Sequence, residues 1–366
     1  MKRAFVAFVS LAFSLSQACY NDRDTLGFEL HNRPDVQRAL TGRFDRFPPL
    51  YYEMRINRLR AKGKLTPDEY DDEAVALGRL GRTREALAVL VQKAKLPNLS
   101  PMDQYRLYAN RGTIEAVKWM QDGADPKKLD GLRAARSDVA KAIAINPDAH
   151  FGRERAQLAV LDWLMSVKAA SKETTPTYGT LSEVIREKMP RADAQTALAG
   201  LIMLGGAWES PDIAIAIGSL DISKPGIRSL AYARYHELLA LGRKPLDDLS
   251  ADEDARESEP LSADPTDTYS AKYQFTRLRA EADAWHDAKT KFMLARLQQG
   301  RHPDTDPNFW AGWTEPPIPV VPVRDPPNYA LINGAILAAL VAVISAGVLG
   351  LYALWRMVRG RLATTH

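Results

Sequence analysis

Residues that could do chemistry are sparse in this chain, and most fail on spacing. His236-Glu237 opens like the helix motif of a zinc protease, but Leu241 stands where a second ligand would be needed one turn on. His286 follows Trp285 with Asp283 and Asp287 beside it, and a single histidine so placed reads as surface or satisfied packing. The six histidines (His31, His150, His236, His286, His302, His366) stand singly. No Gly-x-Ser-x-Gly elbow, phosphate loop or dinucleotide fingerprint occurs. Asp22 and Asp24 offer two carboxylates to a cation, a poor calcium site unless others join. Together with Gly42 to Pro49 they read instead as helix caps and Arg–Asp pairs, leaving Tyr51 and Tyr52 to pack. Hydrolysis by two carboxylates leaves no distinctive trace, because Asp and Glu are common everywhere. The expectation is no catalytic residue, no metal, no cofactor and no enzyme.

The ends of the 366-residue chain carry a clearer message. Lys2 and Arg3 precede a short apolar run, Ala4 to Leu15, and Ser16-Gln17-Ala18 suits a signal peptidase, so residues 1–18 read as an export signal. Cys19, the only cysteine, then becomes the mature N-terminus and a candidate for lipidation, although Ser16 stands where a lipobox places leucine. With one cysteine no intramolecular disulfide is possible, so the exported part must fold on its apolar core. Ala330 to Trp355 carries no charge and is followed by Arg356, Arg359 and Arg361, which predicts a transmembrane helix over 329–356 and a cytoplasmic tail over 357–366. The predicted location is the bacterial cytoplasmic (inner) membrane, single-pass, with the N-terminal domain periplasmic. Gly334, Ala338, Ala342, Ala346 and Gly350 recur every four residues and offer a small-residue face for homodimerisation in lipid.

Between the ends, apolar residues recur at three- and four-residue spacing in segment after segment, with no sustained alternation, which predicts an all-α fold. Breaks fall at Leu96-Pro97, Asn146-Pro147, Ser210-Pro211, Pro225-Gly226 and Lys244-Pro245. Residues 19–65 form a basic helical lead, 66–147 and 148–246 helical repeats, 247–268 an acidic linker, and 269–300 one further helix. Residues 301–328, with Pro316, Pro317, Pro319, Pro322, Pro326 and Pro327, read as a stiff stalk rising about 3 Å per residue. The net charge of +4 is spread along the chain, and no arginine run interleaves with aromatics, so nucleic acid is not an expected partner.

Tyr70, Ala74, Leu77, Gly81, Ala86 and Leu90 fall at the spacing of a tetratricopeptide repeat, and this stretch resembles that family. A second, stretched copy takes Tyr108 and Gly112 with Ala135, Val139, Ala142 and Pro147; a third, poorer one runs from Pro211 through Ile217-Gly218 to Ala231, Tyr235 and Pro245. Lys93 departs from the pattern, which prefers alanine there. The resemblance implies a helical solenoid with a concave protein-binding surface, lined by Asp68, Asp71, Val75 and Arg79 from one repeat and Arg106, Ala109, Thr113 and Val117 from the next. Those residue types lack the Lys/Asn clamp that grips a C-terminal carboxylate. The expected function is an extracytoplasmic scaffold or adaptor for a protein partner, anchored to the membrane by its C-terminal helix. A membrane-tethered envelope hydrolase and a purely structural tether are the alternatives.

Overall fold

The computed structural model describes residues 20–147, 149–169, 180–220, 225–246, 271–319, 337–340, 342–347 and 349–350. The chain divides into two units, residues 1–320 and 321–366. In the first, the described residues form α-helices and two short 3-10 turns, with no strand. In order they are α1 (Arg23–His31), α2 (Val36–Thr41), α3 (Pro49–Lys62), α4 (Pro67–Arg79), α5 (Thr83–Ala94), α6 (Pro101–Gln121) and α7 (Asp130–Ile145). Then follow α8 (Arg153–Ala169), α9 (Leu181–Lys188), α10 (Arg191–Met203), α11 (Pro211–Leu220), α12 (Pro225–Ala240) and α13 (Ala271–Leu297).

Local chemistry sets where these helices begin. Thr66 and Ser100 each accept from the backbone N–H three residues on, and the Glu69 and Asp103 carboxylates return the bond, with proline at the first helical position in both. Asp22 and Asp35 cap α1 and α2 in the same way, accepting from the N–H groups of Thr25 and Arg38. Gly81 closes α4 at φ +75°, where its lack of a Cβ lets the chain reverse into α5.

Two helical hairpins follow from small residues at the crossings. In α4/α5, Ala74, Leu77, Ala86 and Leu90 are fully buried. In α6/α7, a Cβ added to Gly112 would lie 2.8 Å from the Ala135 carbonyl oxygen and 2.9 Å from Val139 Cγ2, so the backbones approach as closely as glycine permits. One core gathers Tyr51, Tyr52 and Ile56 of α3, the α4/α5 hairpin, Leu107, Ile114 and Val117 of α6, and two distant pieces: Met293 and Leu297 of α13, and Phe309 beyond it.

That last contact corrects the expected stalk over 301–328. Residues 301–319 pack onto the helices: Phe309 is wholly buried, Arg43 donates to the Pro316 carbonyl at 2.9 Å, Gln37 donates to the Pro319 carbonyl at 3.1 Å, and Trp285 donates to Glu315 at 2.7 Å. The helices beneath the segment supplied donors and an apolar seat.

The expected transmembrane helix over 329–356 is corrected as well. Among the described residues no helix is long and apolar enough to cross a membrane. Of 329–356 the described residues are 337–340, 342–347 and 349–350, all helical. Of the expected self-association face, Ala338, Ala342, Ala346 and Gly350 are exposed, and Gly334 lies outside the described residues. Residues 1–18, Cys19, the acidic linker 247–268 and the tail 357–366 also lie outside them.

Candidate functional site

The eight residues expected to line a concave surface are brought together, but they do not line an open groove. Asp71, Val75, Ala109, Thr113 and Val117 are at most 3 % exposed, and only Asp68 stands well out in water. The chain's own N-terminal stretch covers part of this face. The Asn21 N–H donates to Asn110 Oδ1 at 2.8 Å, and Asn110 Nδ2 donates to the Asn21 carbonyl at 3.0 Å. Arg23 donates to Asp72 from its backbone and from its guanidinium, at 3.0 and 2.7 Å. Tyr20 is buried against Gly78, with the Arg79 guanidinium 4.6 Å from its ring centroid. Thr113 accepts from Gln157 of α8 at 3.0 Å. The proposed groove is corrected to an internal interface, because apolar and paired residues at these positions are worth more buried than wet.

Charges inside this interface are matched at close range. Lys93 donates to Asp71 at 2.5 Å, Asn110 donates to the other Asp71 oxygen at 3.1 Å, and Arg106 lies 3.4 Å away. Burial pushes the Asp71 carboxyl up to about 7 even against these cations, and burial likewise pulls Lys93 down.

Sequence reasoning missed a second knot centred on Arg55, which is 0 % exposed. Arg55 donates to Asp304 at 2.8 and 2.7 Å, to Asp24 at 2.8 and 3.0 Å and to the Tyr51 hydroxyl at 2.6 Å. Arg58 adds a 2.6 Å bond to Asp304, and His302 stacks on Tyr51. Burial and the charge of Asp22 push Asp24 up, with Arg55 opposing them. Burial opposes ionisation of Asp304 too, yet the Arg55 hydrogen bonds and charge, with His302 and Arg23, hold it down to about 2. Asp22 and Asp24 are therefore acceptors in a structural knot: both Asp24 oxygens are taken by Arg55, and one also by Tyr51 at 2.8 Å. No three His, Cys, Asp or Glu side chains converge as a metal set among the described residues.

Beside this knot opens a cleft of about 410 Å³ between α1, the α2–α3 loop and the turn after α10. Phe28, Phe47, Tyr52 and Met203 give it apolar walls, and Gly205 and Gly206 put no side chain into it. At one end Trp208 is ringed by arginines: the Arg234 guanidinium is 3.5 Å from its ring centroid, Arg46 5.1 Å and Arg279 5.3 Å, with Phe44 edge-on. Arg234 and Arg279 both pair with Glu237. This is the structural use of the Glu237 in the incomplete zinc-protease motif, and His236 beside it is exposed. His286 hydrogen-bonds the Arg46 carbonyl at 3.1 Å, and burial and the Arg46 charge pull its pKa down.

The cleft's residues were visible in the sequence only as separate features: Asp22 and Asp24, the cluster Gly42 to Pro49, Tyr52, and Arg79. Trp208 and Met203 come from a segment more than 150 residues beyond that cluster, and no local pattern connects the two. Chemically the cleft can hold an apolar group and face a charge. No protein-family model, no curated protein and no solved structure matches this chain.

Proposed function

We propose that this chain is a non-enzymatic, exported helical scaffold that binds a protein partner, and that the cleft between α1, the α2–α3 loop and the turn after α10 is where the partner docks. The carrying observation is that three segments distant in sequence combine aromatic walls with charged ends in one concavity, the composition of a recognition site. The export signal over 1–18 supports the extracytoplasmic setting. The resemblance to tetratricopeptide repeats supports protein binding as the class of function, with the ligand moved from the interface between α4 and α6 to this cleft. Asp24, one of the carboxylates in the cleft wall, is engaged by Arg55 and Tyr51.

A photoreactive side chain at position 28, on the cleft wall, tests this in the native cell against the same group at exposed Ser137 on α7. The expected result is a discrete protein adduct from position 28 alone, and a purified partner that binds the native chain but not folded Phe28→Asp. Identical adducts from both positions, or none, would overturn the proposal.

A further inference from the structure

Arg46 is a guanidinium in the cleft wall that no carboxylate pairs at close range, although Asp283, Asp287 and Glu209 lie near enough to act on its charge. Among the described residues its side chain makes no hydrogen bond and no ion pair, and its Nε is buried without an acceptor. It is held instead by aromatic faces, with its charge 5.3 Å from the Phe44 ring centroid and 5.1 Å from that of Trp208. The carboxylates around the cleft are each spoken for. Asp24 is bound by Arg55 at 2.8 Å, Asp45 by Lys289 at 2.5 Å and Glu209 by Arg243 at 2.7 Å, while Asp22 caps α1 and lies 3.6 Å from Arg55. Arg79, the other cation on the wall, spends its Nη atoms on the carbonyls of Leu204 and Gly205. A positively charged ligand would thus have to break an existing pair, while an anion meets a guanidinium that is already partly dehydrated and that no carboxylate has yet bonded.

Resting on the reading of this cleft as a protein-binding site, we propose that it recognises an acidic side chain flanked by a bulky apolar one in a partner's polypeptide. The carboxylate of a Glu or Asp accepts from the Nη atoms of Arg46, whose planar fork suits two parallel bonds. The neighbouring apolar side chain fills the space against Phe28, Phe47 and Met203. Arg234 and Arg279 lie over the same Trp208 and are already paired, both with Glu237 and Arg279 also with Asp283, so Arg46 is the guanidinium there left to bond a ligand. Gly205 and Gly206 leave room for a main chain to lie close beside them.

The test titrates the full chain with a fluorescent capped peptide, Ala-Phe-Glu-Leu-Ala, and with its Gln and Lys counterparts at the central position, following anisotropy at low and high salt. The Glu peptide should bind about tenfold or more tightly than the Gln peptide, as a charge-assisted pair predicts, and the Lys peptide should bind least. In Arg46→Gln that ratio should collapse to near one, with the Gln peptide's own affinity unchanged; Arg46→Lys, which keeps the charge without the fork, should fall between. Circular dichroism checks that both variants keep the native fold.

Equal binding of the Glu and Gln peptides, or a ratio that survives Arg46→Gln, would overturn the inference. Phenylacetate competing as well as the peptide would overturn it in favour of a small-carboxylate site, and inorganic phosphate doing so in favour of a general anion site. Three peptides that bind equally, all lost in Phe28→Asp, would sink the acidic preference while leaving the protein-binding reading intact. No binding by any peptide would sink the acidic preference too, and the crosslinking from position 28 would then decide the broader reading alone.

Discussion

Lys93, which departs from the repeat that this stretch resembles, is fully buried. Where an alanine would pack, a lysine reaches inward to Asp71 at 2.5 Å, so two charges sit dry within one interface. Such a pair contributes little net stability against an apolar pair of the same volume, but removing one partner strands the other. Asp71→Asn should therefore cost about 3–5 kcal/mol, and Lys93→Met a similar amount. The double variant should cost far less than their sum, as read from urea denaturation midpoints. Additive losses would show that the two side chains are held independently. The same burial means that reversing the charge of Asp71 tests folding and not ligand binding, whatever the residue's place in a repeat.

At the scale of elements, the hairpins were legible because close helix crossings demand small residues at fixed spacing, and Ala74, Ala86 and Gly112 supplied them. Gly112 should not tolerate a methyl group. Its Cβ would meet backbone at 2.8 Å, which cannot swing aside, so Gly112→Ala should destabilise by about 1–3 kcal/mol despite alanine's better helix propensity. Gly27 in α1 has nothing within 4 Å of the same position, and Gly27→Ala should stabilise by up to about 1 kcal/mol. Comparing the two denaturation midpoints checks both. A stabilised Gly112→Ala would mean the α6/α7 crossing is looser than these distances. The run of prolines misled for a related reason: proline dictates an extended backbone but says nothing about what lies beneath it, and here α2, α3 and α13 did.

At the scale of the whole first unit, Arg55 ties three separated segments together: the start of α1, α3 itself and the return of the chain at Asp304. That return is ionic, so it should be acid-labile. Asp304 sits at about 2 in the fold against an ordinary carboxylate near 3.8. A lowered folded value adds stability that is complete above about pH 5 and is lost as pH falls from about 4 towards 2. Melting temperature should therefore drop through that window, and Asp304→Asn, less stable at neutral pH, should show a flatter profile there. Asp71, raised to about 7, acts in the opposite sense, since its contribution falls as pH rises from about 4 to 7, so it does not obscure the acid limb. An unchanged slope in Asp304→Asn would assign the acid sensitivity to other carboxylates.

Helical character, the breaks between helices and the small residues at two crossings were determined by the sequence alone, because caps, turns and 3.6-residue periodicity are local properties. The tertiary structure decided which charged residues are dry, which segment covers the face between α4 and α6, and where the cleft opens. Asn21 meeting Asn110, Arg55 meeting Asp304 and Arg79 meeting Gly205 are contacts between residues far apart in the chain, and no periodicity encodes them. The apolar run near the C-terminus shows the same limit from the other side. Composition predicted a spanning helix there, and among the described residues no helix is long and apolar enough to cross a membrane.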